Sequence, residues 1–335
     1  MTTLPAGTTG IGSLPGTDPS EAMRVAFGEN LDIAFMAELP ARGPGADIIG
    51  RASGVLVDLY VDRTVSGWRI VPRAGLDWRR TKDLWARDLD ALQVAADGYD
   101  GPLKIQVAGP WTLTASVELA SGHRIQTDHG ALRDVHESLS EGIAGLVTEV
   151  AARCPQAQLI VQLDEPSLPA VLAGDLPTAS GFGRLDPIDE PTLEQGLART
   201  ISTIGVPVLV HSCAPKPPLV MLKRAGATGV AIDLALVTEA QYDELGEALD
   251  GDFVLYGGVF GVAEVGPKTI DRTAQRIRRL ARHIGMSGEG VRTQLGLSTA
   301  CGLTGMPMER AIERLQALNT LAAQLQDNPE EDEER

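Results

Sequence analysis

Short apolar runs alternate with longer segments of helical spacing along almost the whole chain. The runs lie at residues 31–39, 55–61, 103–107, 158–163, 206–210, 229–234, 253–256 and 292–297. Residues 132–152, 192–204, 239–249, 270–284 and 308–325 instead carry apolar side chains at every third or fourth position. Continuous apolar runs are typical of strands that helices cover on both faces. About eight strand-then-helix units predict an α/β fold, a (β/α)8 TIM barrel, with a doubly wound open sheet as the alternative.

The same pattern predicts a single catalytic barrel over residues 1–325. The chain has 335 residues, a length that suits one large α/β barrel as well as two average domains. Residues 326–335 include the acidic run EEDEE, and we predict a disordered tail there. One unit is ambiguous, because residues 55–71 include Ser-Gly-Trp and can form a hairpin instead of a strand and a helix.

Composition argues against several classes of function. The chain has 45 acidic and 29 basic residues, and its formal net charge of -16 disfavours binding to nucleic acid. No stretch approaches the roughly 20 consecutive apolar residues that span a membrane. The N-terminus lacks the basic and apolar regions of a signal peptide. Three scattered cysteines do not make a disulfide framework, so we predict a reducing, cytoplasmic compartment.

Polar or small residues follow most of the apolar runs. In a barrel the carboxyl ends of the strands meet at one face, and active sites of this fold lie there. The residues concerned are Ala37-Glu38, Ala108-Gly109-Pro110, Asp164-Glu165-Pro166, His211-Ser212-Cys213, Asp233, Gly257-Gly258 and Ser298-Thr299-Ala300-Cys301.

Four of these residues suggest a metal site. His211 and Cys213 are two positions apart, so at a strand end their side chains point to the same side. Asp233 ends the next strand, and Cys301 follows the last one. One imidazole, two thiolates and a carboxylate suit Zn²⁺. A zinc ion with two thiolate ligands suits holding a substrate thiol as a nucleophilic thiolate, so alkyl transfer to sulfur is the predicted chemistry.

These motifs and their order resemble the C-terminal catalytic domain of cobalamin-independent methionine synthase. This family lies in the uroporphyrinogen decarboxylase/methionine synthase-like superfamily of barrels. The resemblance covers nearly the whole chain. It rests on TGIGSLP from Thr9, LDI from Leu31 to Glu38, AGPWT from Ala108, VQLDEPS from Val161, HSC from His211, VAID from Val230, and CGL from Cys301 with Pro307.

The resemblance implies a zinc-dependent S-methyltransferase that forms methionine from homocysteine. It places the zinc ligands on His211, Cys213, Cys301 and Asp233, although the family usually has glutamate at the last position. The positions that match the family's homocysteine site are Ile11 and Ser13, Glu38, Asp164 and Glu165. Carboxylates suit this role because the substrate carries an ammonium group.

Two departures from the family concern the methyl donor. The sequence begins at the catalytic barrel, without the second half that helps the family bind polyglutamyl folate. Where the family has an Asp and a His that help activate methyl-folate, this chain has Gly261 and Ala263. We therefore expect another donor, such as methylcobalamin or a corrinoid protein partner. Two alternatives stay open: alkyl transfer to a different small thiol, and a non-catalytic relative that binds homocysteine.

Overall fold

Eight parallel strands form a barrel at the centre of the molecule, with helices around it. The computed structural model describes residues 4–178, 181–261 and 264–330. The strands are β1 (Thr8–Thr9), β2 (Ala34–Phe35), β3 (Tyr60–Thr64), β4 (Gly67–Val71), β5 (Pro102–Ala108), β6 (Val117–Glu118), β7 (Gln158–Asp164), β8 (Val208–Ser212), β9 (Gly229–Asp233), β10 (Val254–Val259) and β11 (Leu295–Thr299). The helices are α1 (Pro19–Gly28), α2 (Ile48–Val55), α3 (Leu76–Ala95), α4 (Pro110–Ser116), α5 (His129–Arg153), α6 (Leu168–Ala173), α7 (Glu190–Ile204), α8 (Leu219–Arg224), α9 (Tyr242–Ala248), α10 (Pro267–His283), α11 (Gly288–Thr293) and α12 (Met308–Asp327).

The strand order closes the sheet into a barrel. The order is β1-β11-β10-β9-β8-β7-β5-β2, and all seven neighbouring pairs in this order are parallel. The segments around β1 and β2 meet through backbone hydrogen bonds, from Ile33 N to Thr8 O at 3.1 Å and from Glu38 N to Gly12 O at 3.0 Å. The prediction of a (β/α)8 barrel is therefore confirmed, and the open-sheet alternative is wrong.

The strands are apolar on both faces because helices cover the outside and side chains fill the inside. On β7, Leu159, Val161 and Leu163 belong to the main core between sheet and helices. Ile160 lies on the opposite face, in a second and smaller apolar cluster contributed by several strands. By the same alternation Gln162 and Asp164 face the interior above Ile160. The interior is thus apolar at the bottom and polar towards the carboxyl ends of the strands.

One predicted strand is wrong, and one strand of the barrel was not predicted. Residues 55–61 contribute no barrel strand, because α2 continues to Val55 and the chain then enters the antiparallel hairpin of β3 and β4. The barrel's first strand is instead β1, which pairs with β11. β1 has only two residues, both threonines, so it produces no apolar run that a pattern could detect.

The C-terminal helix extends into the segment predicted as a tail. α12 ends at Asp327, and the carbonyl of Asn328 accepts a hydrogen bond from Arg278 Nε at 2.6 Å. Pro329 is buried, while residues 331–335 lie outside the described part of the chain. Among the described helices, none is both long and apolar enough to cross a membrane.

Candidate metal centre and substrate pocket

Three of the four predicted metal ligands lie together at the carboxyl end of the barrel. One ligand atom from each of His211, Cys213 and Cys301 lies within 4.8 Å of the others. His211 is near the end of β8 and is 4% exposed, whereas Cys213 is partly buried and Cys301 is exposed. Cys301 follows the end of β11, which β10 and β9 separate from β8 in the sheet. The curvature of the barrel brings the carboxyl ends of β11 and β8 close together. The cluster is therefore reachable from solvent on one side.

A backbone contact orients the ring of His211. Its Nδ1 lies 3.1 Å from the carbonyl oxygen of Ala231 on the neighbouring strand β9. A carbonyl can only accept, so Nδ1 carries the proton. Nε2 is then the nitrogen that would bind a metal, in place of its hydrogen bond to Cys301, and the contact at Nδ1 fixes the orientation of the ring.

The two thiols of the cluster interact strongly. Hydrogen bonds from the Cys213 thiol and from His211 lower the pKa of Cys301, against an opposing effect of burial. The pKa of Cys213 is raised by its hydrogen bond to Cys301 and by burial. The pair therefore shares one proton, and the site favours one thiolate, the form that binds metal.

Asp233 does not join the group of three. Its Oδ1 accepts a hydrogen bond from the backbone N–H of Ala235 at 2.8 Å, at the start of the short 3-10 turn Leu234–Leu236. The residue is at the end of β9, as predicted, and is partly exposed. It borders a cavity of about 230 Å³ that is also lined by Ala300, Phe260 and Gly261. Ala263, predicted to replace a family histidine, lies outside the described residues.

Two buried carboxylates lie next to the cluster. Glu38 follows β2, and Asp164 ends β7 beside His211 of β8. Burial raises the pKa of Glu38 to about 7, although Arg51 opposes this effect. Burial also raises the pKa of Asp164, opposed chiefly by His211 and by a hydrogen bond of 2.7 Å from Gln162 Nε2. The charge of Asp164 raises the pKa of Glu38 further, and that of Cys301 raises the pKa of Asp164, so a bound cation beside these carboxylates would be favourable.

A polar network inside the barrel supports Asp164. Lys104 Nζ donates to Ile11 O at 3.1 Å, to Gln106 Oε1 at 3.3 Å and to Gln162 Oε1 at 2.7 Å. Burial lowers the pKa of Lys104 to about 7, opposed by Asp164 and Glu38. Its three acceptors match the three hydrogens of an ammonium group, so the geometry favours the charged form. This network was not predicted from the sequence, where its signal is a lysine and two glutamines within apolar strands.

The loop from Ile11 to Ser13 lies between the carboxylates and the thiols. Ser13 pairs with Glu38 in a parallel bridge, and its carbonyl accepts from Leu303 N at 2.9 Å. A Cβ atom at Gly302 would be 1.8 Å from Ser13 Oγ, so a larger residue beside Cys301 would displace the Ser13 hydroxyl. The carbonyl of Ile11 is occupied by Lys104 and by Gln162 Nε2, the latter at 2.9 Å. Ser13 is the partly exposed member of this loop and has access to the pocket.

Glu165 is bound to the start of α4. One oxygen accepts from Trp111 N at 2.9 Å, and the other accepts from the backbone and the hydroxyl of Thr112 at 2.7 and 2.8 Å. The side chain is 0% exposed, and burial raises its pKa to about 7 against these hydrogen bonds. These contacts give Glu165 a structural role, and its part in substrate binding stays a prediction.

Comparisons with known proteins agree with the fold. A family model described as "Cobalamin-independent synthase, Catalytic domain" matches residues 6–324. A solved B12-independent methionine synthase from Shewanella sp. W3-18-1, in complex with selenomethionine, is 13% identical with a TM-score of 0.61, over 98% of this chain and 99% of that one. A methyltransferase from Methanosarcina mazei is 14% identical with a TM-score of 0.61, over 97% and 95% of the two chains. A comparison with curated protein sequences gave no significant match.

Proposed function

The chain belongs to the family of cobalamin-independent synthase catalytic domains and is a methyltransferase, and from this premise we propose that it methylates the sulfur of homocysteine with the help of a zinc ion. The observation that carries the proposal is the group of His211, Cys213 and Cys301 at the active-site face of the barrel. Two thiols and an imidazole at the active-site face of a methyltransferase are suitable ligands for a zinc ion that binds a thiol substrate.

The residues of the cluster fit zinc. His211 offers Nε2 because Nδ1 is engaged, and Cys213 and Cys301 already share a proton that metal binding would release. Catalytic zinc sites have three protein ligands and keep a fourth position for water or substrate. Zinc bound here would keep the substrate sulfur as a thiolate at neutral pH, where a free thiol with a pKa of about 8.5 is mostly protonated. Asp233 stays a proposed fourth ligand in the absence of substrate.

The protein groups around the cluster suit the amino-acid end of homocysteine. Glu38 and Asp164 would bind the ammonium group, and Ser13 would hold the carboxylate. Lys104 and Gln162 keep Asp164 in place and balance its charge. In the transfer, the sulfur lone pair forms the S–C bond, the bond from the methyl carbon to the donor breaks with its electron pair on the donor, and the thiol proton leaves to solvent. The reduced thiols that this chemistry needs suit a cytoplasmic location.

The substrate class follows from charge. A thiol that carries only a negative group, such as a sulfonate, would meet two buried carboxylates and be disfavoured. A thiol with an ammonium group is favoured for the same reason. Alkyl transfer to another small thiol stays the alternative, and it requires an amine or a neutral group at the end that Glu38 contacts.

For the donor we propose methylcobalamin, free or on a partner protein. Gly261, which matches a family aspartate, has no side chain, and its carbonyl accepts from Arg314 Nε at 2.9 Å. It therefore provides no acid for activating a methyl-folate.

A donor screen tests the proposed function. Zinc-loaded protein is incubated with L-homocysteine and either methylcobalamin or a methyl-folate, with and without a polyglutamate tail, and methionine is measured. We expect methionine with methylcobalamin and much less with either folate. Failure of every donor to give methionine would reject the methyl transfer, and turnover of another thiol alone would identify the alternative.

A further inference from the structure

A buried chain of four charged side chains connects the pocket to the outer helices. Arg51 on α2 donates Nε to Glu38 Oε1 at 3.0 Å and Nη1 to Asp88 Oδ2 at 2.5 Å. Arg42 donates to both oxygens of Asp88 at 2.6 and 2.7 Å. Arg51 and Asp88 are 1% and 0% exposed. The signs alternate along Glu38, Arg51, Asp88 and Arg42, so the chain cancels its own charge in the interior.

Helix α3 holds Arg51 in one orientation. The Arg51 guanidinium carbon lies 3.9 Å from the centre of the Trp85 ring, a stacked cation–π contact. Trp85 Nε1 also donates to the backbone carbonyl of Arg51 at 3.0 Å. Trp85 and Asp88 are three residues apart on α3, so they lie on the same face of the helix. Arg51 is therefore fixed through its ring contact, its backbone and its guanidinium group.

Arg51 engages only one oxygen of Glu38. Its Nη2, which lies on the same edge of the guanidinium as Nε, is buried and has no hydrogen-bond partner among the described residues. A bidentate pair would have used Nη2 and both oxygens of the carboxylate. The Glu38 side chain is 10% exposed and that of Arg51 2%. Within the described residues no donor binds Glu38 Oε2, so this oxygen is left for a cation in the pocket.

We propose that Arg51 is a positioning residue for substrate recognition: it binds one oxygen of Glu38 and leaves the other to take the ammonium group of an amino-acid thiol. This inference rests on the proposed function, in which Glu38 contacts that group. Arg51 itself does not touch the substrate. Its planar guanidinium reaches two carboxylates at once, which a lysine ammonium on a flexible stem would do less well.

Binding measurements separate this role from a general structural one. The zinc-loaded protein is titrated calorimetrically with L-homocysteine and with 4-mercaptobutanoate, which lacks only the amino group. In Arg51→Gln we expect affinity for homocysteine to fall about 10- to 100-fold, the scale of a hydrogen bond to a charged group. Affinity for 4-mercaptobutanoate should change little. Arg87→Gln, an exposed site next to Asp88, is the matched control and should bind both thiols normally.

Arg51→Lys keeps a positive charge in the interior, and it is measured in the same way if Arg51→Gln does not fold. We expect it to restore part of the preference for homocysteine. Equal losses for both thiols, or an unchanged preference in either variant, would overturn the role of Arg51. An unsubstituted protein that binds no homocysteine would instead overturn the proposed function, and the inference with it.

Discussion

Single side chains decide the chemistry of the site. His211, Cys213 and Cys301 come from two strands that are far apart in sequence and meet only because the barrel closes. The hydrogen bond from His211 to Ala231 and the proton shared by the thiols prepare all three for a soft divalent cation. Cys154 is buried in the main core and has no part in the cluster.

Cysteine substitutions test the ligand assignment. Cys213→Ala and Cys301→Ala should each lose most of the bound zinc, because two remaining ligands bind the ion weakly. Metal content by mass spectrometry of the purified proteins measures this. Cys154→Ala is the control and should keep about one zinc per chain. Full zinc content in Cys213→Ala or Cys301→Ala would remove that residue from the ligand set.

Glu38 should make homocysteine binding depend on pH near neutrality. Burial raises the pKa of Glu38 to about 7, so the carboxylate that attracts the ammonium group is lost as pH falls through this value. The dissociation constant should rise about tenfold per pH unit below that point, where one protonation opposes binding. Glu38→Gln should bind more weakly at pH 8 and show a flatter profile.

Calorimetry at several pH values measures the Glu38 effect, with zinc content checked at each one. Acidity also affects the metal ligands, so a profile counts only where the zinc is retained. An identical pH dependence in Glu38→Gln would contradict the assignment of Glu38.

At the scale of elements, the strand ends could be predicted from sequence and the side-chain roles only in part. Buried parallel strands give apolar runs, and the polar residue after each run marks the active-site face. β1 was not predicted, because two threonines between small residues do not form an apolar run. Lys104, Gln106 and Gln162 lie on strands that were identified, but whether an interior polar residue has partners depends on the neighbouring strands.

Glu165 was predicted from its motif to bind substrate, but in the structure its carboxylate is bound by the start of α4. In sequence, Asp164 and Glu165 both look like substrate-binding carboxylates, but only Asp164 faces the interior of the barrel. Glu165 points towards α4 because successive side chains alternate in direction along a strand. Such a difference depends on the packing of α4, which the sequence pattern does not specify.

The contacts of Glu165 predict a loss of stability. In Glu165→Gln one oxygen becomes an amide NH₂ that faces an N–H of α4 or the Thr112 hydroxyl, so a buried hydrogen bond is lost. The free energy of unfolding should fall by about 1–3 kcal/mol. Urea denaturation measures it, with Glu137→Gln on the exposed side of α5 as the control. An unchanged midpoint for Glu165→Gln would argue against its structural role.

At the scale of the molecule, the barrel brings two kinds of binding group, thiols and carboxylates, to one face. In the proposed function the thiols would bind a soft cation and the carboxylates next to them an ammonium group, so a substrate with both a thiol and an amine would fit the face as a whole. The fold was predictable to the level of the barrel, whereas Asp233 shows that a residue at the right strand end can still point to a local backbone contact.

Zinc-edge X-ray absorption with and without homocysteine tests the central claim most directly. The protein alone should show two sulfur ligands and one imidazole, with oxygen completing the shell. Addition of L-homocysteine should add a sulfur to the first shell, and 4-hydroxy-2-aminobutanoate, which has a hydroxyl in place of the thiol, should not. A zinc shell whose sulfur count stays the same with homocysteine present would contradict thiol activation at this site.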